Sequence, residues 1–421
     1  MSAASGGHDR QGSLRRHLGV GDAVVIGAGS MIGAGVFAAW APAAGAAGGA
    51  RVIGQALAAA VAFANAASSA QLAAIHPESG GTYVYGRRQL GDGWGHLAGW
   101  GFVVGKTASC AAMALTVGAY LWPQHERAVA IGAVAVITVV NIGGLSRTVA
   151  VTRMLLVVSL AALAAVVVAG WTGGQADIAR IDLTEGDALG VLRSAGFLFF
   201  AFAGYARIAT LGEEVRDPAV TIPKAVPRAL LAVLIVYAIV AVTALAVVDS
   251  AALAATDAPL RLVGSGAPTG FSTVVRVGAG VAALGVLLNL IPGVSRTSMA
   301  MARNRELPGW FAHIDHNRDI PLRAELTVAG VVMALVVLLD LRNAIAVSGV
   351  AVLTYYAVTN AAALTLSPQQ RRWPRSLAWF GLAGCVVLIF SLPPTAVVSG
   401  SAVLAAGVLA RAVVARRSTS R

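Results

Sequence analysis

The stretch VVIGAGSMIGAGVFAAWAP, residues 24–42, is an apolar run that is unusually rich in glycine. Four glycines fall close together within it: Gly27, Gly29, Gly33 and Gly35. A dinucleotide-binding loop needs the pattern G-x-G-x-x-G, but the third glycine position of that pattern is occupied by Ile32. Because glycine adopts backbone conformations that other residues avoid, the stretch instead predicts a helix interrupted around Gly29 to Gly33.

The composition of the whole chain is that of a membrane protein. Of 421 residues, 57% are hydrophobic and only 12% are charged, and the mean hydropathy is +0.76. A bilayer core needs about 20 apolar residues for each helix. The sequence therefore predicts an all-α polytopic membrane protein of twelve transmembrane helices, at approximately 20–46, 52–75, 97–122, 128–143, 151–171, 188–211, 229–248, 270–302, 326–341, 344–366, 377–392 and 395–414.

The distribution of Lys and Arg predicts the orientation of these helices. When the N-terminus is placed in the cytoplasm, the loops on that side hold about three times as many Lys and Arg residues as the loops outside. We therefore expect both termini to be cytoplasmic and the protein to lie in the cytoplasmic (plasma) membrane. The net charge of +12 is spread over short loops, which favours contact with anionic membrane lipid and argues against nucleic acid as a partner.

We expect no metal-binding or other reactive role for the cysteines and histidines. The two cysteines, Cys110 and Cys385, lie in apolar segments, and the histidines lie outside or at the edges of the predicted helices. No spacing typical of metal ligands is found among them. We expect neither a metal nor a cofactor.

A second glycine interruption occurs in the sixth predicted helix, SAGFLFFAFAGYARIATLGEEV, at Ala203 and Gly204. It lies five helices after the first interruption. Two interrupted helices at corresponding places in two halves are typical of transporters with an inverted repeat. The predicted organisation is a cytoplasmic N-terminal segment 1–19, a first repeat of helices 1–5 over 20–171, a second repeat of helices 6–10 over 188–366, helices 11–12 over 377–414, and a cytoplasmic tail 415–421.

An interrupted helix leaves backbone N–H and C=O groups without intrahelical partners, which is costly in lipid but tolerable beside a polar cavity. The N-terminus of the following half-helix favours a carboxylate, and carbonyls at the end of the preceding half-helix suit an ammonium. An α-amino acid carries both groups. Alternatively, the glycines permit close helix packing. We prefer a binding site for Gly33, Gly35 and Gly204, and close packing for Gly45, Gly48 and Gly49.

Four segments of the chain resemble a known superfamily, the amino acid–polyamine–organocation permeases. They are GAGSMIGAGVFAAWAPAAG (27–45), HPESGGTYVYGRRQLGDGWGHLAGW (76–100), FLFFAFAGYARIATLGEEVRDPAVTIPKAV (197–226) and SRTSMAMARNRELPGWFAHID (295–315). The resemblance implies a LeuT-type 5+5 inverted repeat with helices 1 and 6 interrupted, followed by two extra helices. It also implies transport of amino acids or related amines by alternating access.

The resemblance assigns the two ends of a substrate to the two interruptions. It places the carboxylate on the N–H groups of Ala34 and Gly35, where Ile32 and Gly33 shape the unwound turn. The amine would meet backbone carbonyls of Met31, Phe200 and Ala203.

The resemblance also implies an aromatic gate next to the second interruption. Phe200 or Phe202 would close over the substrate, although packing in the core is an equally good interpretation of either ring. Gly204 would give the closing side chain room, and Tyr205 would begin the second half-helix.

Charged residues within predicted membrane helices are usually functional. Lys106 lies roughly 13 Å from the helix start at Leu97, near the middle of a core about 30 Å thick. A buried amine can exchange a proton near neutral pH, which suits proton coupling. Some relatives in the superfamily carry a lysine in span five in place of a sodium ion, and Ser159 occupies the matching position here. Lys106 therefore replaces that lysine, contacts the substrate, or is a structural lysine paired with a carbonyl or with one of the few acidic residues nearby.

Arg207 follows the second interruption and has two open interpretations. It forms an ion pair at an inner gate, or it contributes only to local structure while Glu213 and Glu214 organise the following loop. In the same way, Glu78 in the link between helices two and three is a candidate for gate contacts.

The sequence thus predicts a secondary active transporter, a permease for a small amino acid, rather than an enzyme. Proton symport is the favoured mode, with an amino acid/amine exchanger or a sodium-coupled carrier as alternatives. A membrane-embedded enzyme would need a catalytic constellation at the end of a helix, and we find none. A channel would not need paired interrupted helices. The expected partners are an amino acid, a proton or sodium ion, and membrane lipid.

Overall fold

The computed structural model describes residues 18–77, 80–143, 149–209, 215–315 and 320–419. Over these ranges the chain is helical, and its β-structure consists of two isolated bridges, Leu18 with Val215 and Asp315 with Ile320. The α-helices are α1 Val20–Met31, α2 Ala34–Ala38, α3 Trp40–Ala47, α4 Arg51–Ile75, α5 Thr82–Leu90, α6 Asp92–Leu121, α7 Glu126–Ile142, α8 Val149–Thr172, α9 Ala188–Phe202, α10 Ala206–Ala209, α11 Pro218–Val247, α12 Ser250–Ala254, α13 Pro259–Val263, α14 Thr269–Arg303, α15 Leu322–Leu338, α16 Leu341–Leu364, α17 Arg375–Ser391 and α18 Pro394–Thr419.

The described part of the chain contains ten helical segments that are long and apolar enough to cross a membrane. The protein is therefore a multi-pass membrane protein, as the composition predicts. Helices α15 and α17 have 17 residues each, the short end of the range for a transmembrane helix. They lie where the ninth and eleventh helices are predicted, and the twelve-helix arrangement stays a prediction.

The first predicted interruption is present between α1 and α2. Ile32 has φ −77° and ψ 77°, the conformation of an inverse γ-turn, and the N–H of Gly33 closes that turn by donating to the Met31 carbonyl over 2.9 Å. Gly33 is extended, with φ −141° and ψ −150°. The helix resumes at Ala34.

The predicted start of this interruption at Gly29 is wrong, because α1 continues through Met31. Only Ile32 and Gly33 leave the helix. The reason for the glycine at position 29 is packing: a Cβ there would lie 3.1 Å from Cγ2 of Thr152 on α8. A small residue at this position lets α1 and α8 approach closely.

The second interruption is present where the sequence places it. Helix α9 ends at Phe202, a 3₁₀ turn covers Ala203–Tyr205, and α10 begins at Ala206. Tyr205 therefore closes the turn rather than beginning the second half-helix, since that half-helix starts one residue later. A 3₁₀ turn within a helix often marks a functional hinge.

The segments around the two interruptions pack closely against neighbouring helices through glycine. A Cβ on Gly204 would lie 2.1 Å from the carbonyl oxygen of Ser30. A Cβ on Gly35 would lie 2.6 Å from the Cα atom of Ala201, and one on Gly33 would lie 2.1 Å from Cγ2 of Val286. Close packing is thus observed at all three glycines that the sequence assigns to a binding site. At Gly204 the adjacent space is filled by the backbone of α1.

We expect Gly204→Ala to destabilise the protein, because its methyl group would overlap backbone atoms of Ser30 that cannot move aside alone. Overpacking of this kind costs about 1–3 kcal/mol. The apparent melting temperature in detergent should fall by several degrees. Gly132→Ala on α7 is the matched control, since a Cβ there has nothing within 4 Å. Equal melting temperatures for the two variants would contradict the contact.

Candidate functional site

The first interruption is held by a tyrosine hydroxyl. Tyr237 on α11 is buried, and its hydroxyl lies 2.7 Å from the carbonyl oxygen of Met31 and 3.1 Å from that of Ala201. A hydroxyl has a single proton to donate, so the two carbonyls share it. This side chain therefore links the end of α1 to the end of α9.

Lys106 reaches the second interruption. It is the fifteenth of the 30 residues of α6 and only 5% exposed. Its Nζ donates to the carbonyl of Ala203 over 3.1 Å, and the hydroxyl of Tyr356 donates to the same oxygen over 3.0 Å. In the described part of the chain no Asp or Glu forms an ion pair with Lys106. Nζ of Lys106 is thus bonded to a backbone carbonyl.

Close packing between α6 and α16 fixes the position of Lys106. A Cβ on Gly105 would lie 2.8 Å from Cγ2 of Val352. One turn further on, the hydroxyls of Ser109 and Ser348 are 2.7 Å apart and share a hydrogen bond. These contacts on either side of Lys106 hold its side chain towards the interruption.

Aromatic rings surround the second interruption. The ring centroid of Phe202 lies 5.2 Å from that of Tyr237, and Tyr205 stacks on Tyr356 at 4.9 Å. Phe199 meets the edge of Tyr356 at 5.7 Å. Phe200 is also buried. Of the two phenylalanines considered as a gate, Phe202 is therefore packed against a ring that itself holds the backbone.

The surroundings of two other predicted coupling and gating residues, Ser159 and Arg207, do not point to a particular role. Ser159 on α8 is buried, and its hydroxyl donates to the Leu155 carbonyl of its own helix over 2.8 Å. Arg207 is half-buried on α10, two residues beyond Tyr205. Three acidic residues considered in the sequence, Glu78, Glu213 and Glu214, lie outside the described residues.

Tyrosines are the functional residues that sequence reasoning missed. Besides Tyr237 and Tyr356, Tyr120 on α6 donates to the carbonyl of Phe37 over 2.7 Å and accepts from the N–H of Leu260 over 3.1 Å. The available signal was a tyrosine inside an apolar helix, because a buried hydroxyl usually finds a hydrogen-bond partner. The sequence does not say which carbonyl that partner is.

A separate polar cluster, here called the Glu306 cluster, joins the segment after α14 to α5 and α6. Glu306 accepts hydrogen bonds from the hydroxyl of Tyr83 over 2.8 Å and from Nη1 of Arg87 over 3.1 Å, and Nδ1 of His96 lies 3.6 Å from its carboxylate. Burial raises the pKa of Tyr83, and the hydrogen bond to Glu306 raises it further. Tyr83 therefore stays a neutral donor at physiological pH.

Membrane helices interrupted at corresponding places in two halves are typical of secondary transporters. Comparison with known proteins agrees with this class. The family described as amino acid permease matches residues 18–410. The chain belongs to this family and is a membrane transporter.

Individual relatives are similar over most of their length. An uncharacterized transporter of Mycobacterium tuberculosis is 56% identical over 413 residues, which cover 96% of this chain and 93% of that protein. The branched-chain amino acid permease BcaP of Bacillus subtilis is 24% identical over 93% of this chain and 87% of that protein. Cationic amino acid transporter 6 of Arabidopsis thaliana is 26% identical over 90% of this chain and 71% of that protein.

We expect Glu306→Gln to cost about 1–3 kcal/mol of stability, since buried donors lose a charged acceptor. The matched control is Asp92→Asn, because Asp92 binds the same Arg87 over 2.9 Å but has a 64% exposed side chain. Exposed ion pairs contribute about 0–1 kcal/mol. The melting temperature in detergent should therefore fall much further for Glu306→Gln. A larger fall in melting temperature for Asp92→Asn than for Glu306→Gln would show that the cluster does not hold α5 against the segment after α14.

Proposed function

We propose that this protein is a secondary active transporter that moves a small amino acid across the cytoplasmic membrane by alternating access. The observation that carries the proposal is the direct contact of the second interruption, at Gly204, with the end of α1 at Ser30, with Lys106 bonded to the same interruption. Two distant relatives, a branched-chain amino acid permease and a cationic amino acid transporter, support an amino acid as the substrate.

The proposed architecture is the LeuT-type 5+5 inverted repeat. Its two halves are 20–171 and 188–366, with two further helices over 377–414. The 17-residue helices α15 and α17 supply the ninth and eleventh spans. The excess of Lys and Arg in loops on one side supports cytoplasmic termini, 1–19 and 415–421, and insertion in the cytoplasmic membrane.

In this proposal the substrate carboxylate binds at the start of α2. The first N–H groups of a helix lack intrahelical acceptors, and here they belong to Ala34 and Gly35. The γ-turn at Ile32 and the extended Gly33 end α1 and let a new helix begin at Ala34. The side chain of the substrate then faces residues that are mostly alanine, glycine and aromatic, since these types predominate around the two interruptions.

The substrate amine is proposed to meet the carbonyls of Met31, Phe200 and Ala203. Phe200 is the better candidate for the gate, since the ring of Phe202 already packs against Tyr237. Arg207, half-buried just beyond the second interruption, is assigned to the inner gate. Ser159 is a weaker candidate for ion coupling, because its hydroxyl bonds within its own helix.

Lys106 is proposed as the proton-coupling group. Its position midway along α6 and its burial place an ionisable amine deep in the membrane, where such groups are rare and usually functional. No sodium ligand set is needed in this proposal. The coupling ion is therefore a proton, and Lys106 takes the role that a lysine in span five has in some relatives.

The test is uptake of radiolabelled amino acids into proteoliposomes with imposed pH or sodium gradients. We expect uptake of small neutral amino acids that responds to the pH gradient and loses that response in Lys106→Ala. Lys224→Ala, an exposed lysine on α11, is the matched control and should behave as wild type. Uptake that requires sodium would refute proton coupling. No uptake of any amino acid would refute the substrate class.

A second prediction concerns the carboxylate. L-Leucinamide and L-leucinol keep the amine and side chain of leucine but lack its negative charge. If the N–H groups of Ala34 and Gly35 bind the carboxylate, both analogues should inhibit uptake at least tenfold less well than L-leucine. Inhibition as strong as that by L-leucine would place substrate recognition elsewhere.

A further inference from the structure

The carbonyls proposed to receive the substrate amine already have donors in this structure. Met31 accepts from the hydroxyl of Tyr237 and the N–H of Gly33. Phe200 accepts from the N–H of Ala203. The carbonyl of Ala203 accepts from Lys106 and from Tyr356. A carbonyl oxygen has two lone pairs, so at Met31 and Ala203, which already have two donors each, a substrate ammonium must displace a resident donor.

Lys106 is the charged member of this set of donors. If a substrate ammonium joined it at the Ala203 carbonyl, two positive charges would share one oxygen in a buried site, where repulsion is poorly screened. Tyr356 would add no such repulsion, because its hydroxyl is neutral. The conflict is therefore between two ammonium groups, one from Lys106 and one from the substrate.

Among the described residues of the protein, none supplies Lys106 with a negative charge that would relieve this conflict. The titratable groups that face it are Cys110 on α6 and Tyr356 on α16, and Tyr205 from the interruption stacks on Tyr356. All three are neutral when protonated. Among the described residues of the helices packed against α6, no Asp or Glu pairs with Nζ.

We infer that Lys106 is a tethered competitor of the substrate amine at the Ala203 carbonyl, so that binding of an amino acid expels one proton from Lys106. The inference rests on the proposed function. The N–H bond of the Lys106 ammonium breaks, its electron pair stays on Nζ, and the proton leaves to water. The substrate keeps its own ammonium, which replaces that of Lys106.

This competition determines the direction of coupling. The empty carrier holds a proton on Lys106, and the loaded carrier does not. Each amino acid that crosses the membrane in one direction is therefore exchanged for a proton that crosses in the other. The result is counter-transport, in contrast to the symport that the sequence favours.

The test measures binding of L-leucine and L-alanine to the purified full-length protein by calorimetry between pH 5.5 and 9, in buffers of different ionisation enthalpy. We expect one proton to be released for each amino acid bound, and about a tenfold gain in affinity per pH unit while Lys106 is charged. Lys106→Met should bind at least tenfold more tightly than wild type at pH 5.5, with no proton release. Lys224→Met should match wild type.

Two ligand controls sharpen the result. Propionate and 4-methylpentanoate are the analogues of alanine and leucine without the amine, so any binding should release no proton. In proteoliposomes, an acidic interior should accelerate uptake of L-leucine by wild type. Acceleration by an acidic exterior instead would overturn the exchange.

The failures are distinguishable. Binding of L-leucine by wild type with no pH dependence and no proton release would overturn the competition and leave the proposed transporter intact. A Lys106→Met variant with an unchanged melting temperature that binds no amino acid would make Lys106 a substrate contact, which also overturns it. If neither wild type nor Lys106→Met binds or transports any of the twenty amino acids, the proposed function fails and the competition fails with it.

Discussion

A backbone carbonyl that leaves its helix inside a membrane must find a donor within the protein, because lipid supplies none. That constraint explains why long side chains from distant helices converge on the two interruptions. Tyr237 from α11 serves the first interruption, and Tyr356 from α16 and Lys106 from α6 serve the second. The glycines complete the arrangement, since the chains approach so closely that a methyl group on Gly204 would overlap Ser30. The interrupted helices are thus stable only as part of this shared network.

The same network determines which groups a substrate displaces when it binds. In water an unpaired carbonyl is hydrated, so a ligand replaces water, whereas here a ligand replaces side chains of the protein. The free energy of binding is therefore a difference between two sets of hydrogen bonds, and a modest one. Such a difference suits a carrier, which must release its cargo on the other side of the membrane. It also makes the resident donors as important for selectivity as the groups that touch the substrate.

Much of this arrangement could be predicted from the sequence, and the limits have physical causes. Membrane helices and both interruptions follow from local hydropathy and glycine spacing, and the depth of Lys106 follows from helix geometry. The extent of the first interruption could not be predicted, because Gly29 lies in a close contact with Thr152, which is far away in the chain. Likewise the role of Tyr237 was missed, because its bond to Met31 depends on how α11 crosses α1. Long-range partners of this kind are fixed only by the tertiary fold.

The hydroxyl of Tyr120 binds groups on both sides, the carbonyl of Phe37 and the N–H of Leu260. A single oxygen atom thus ties α6, α2 and the short helix α13 into one mechanical unit. If α2 tilts during a conformational change, it must either break this tie or carry α13 along. The position of the loop that contains α13 is therefore coupled to the position of the half-helix α2 at the candidate site. If that loop were restrained, for example by a bound antibody fragment, the movement of α2 at the site would be restrained as well.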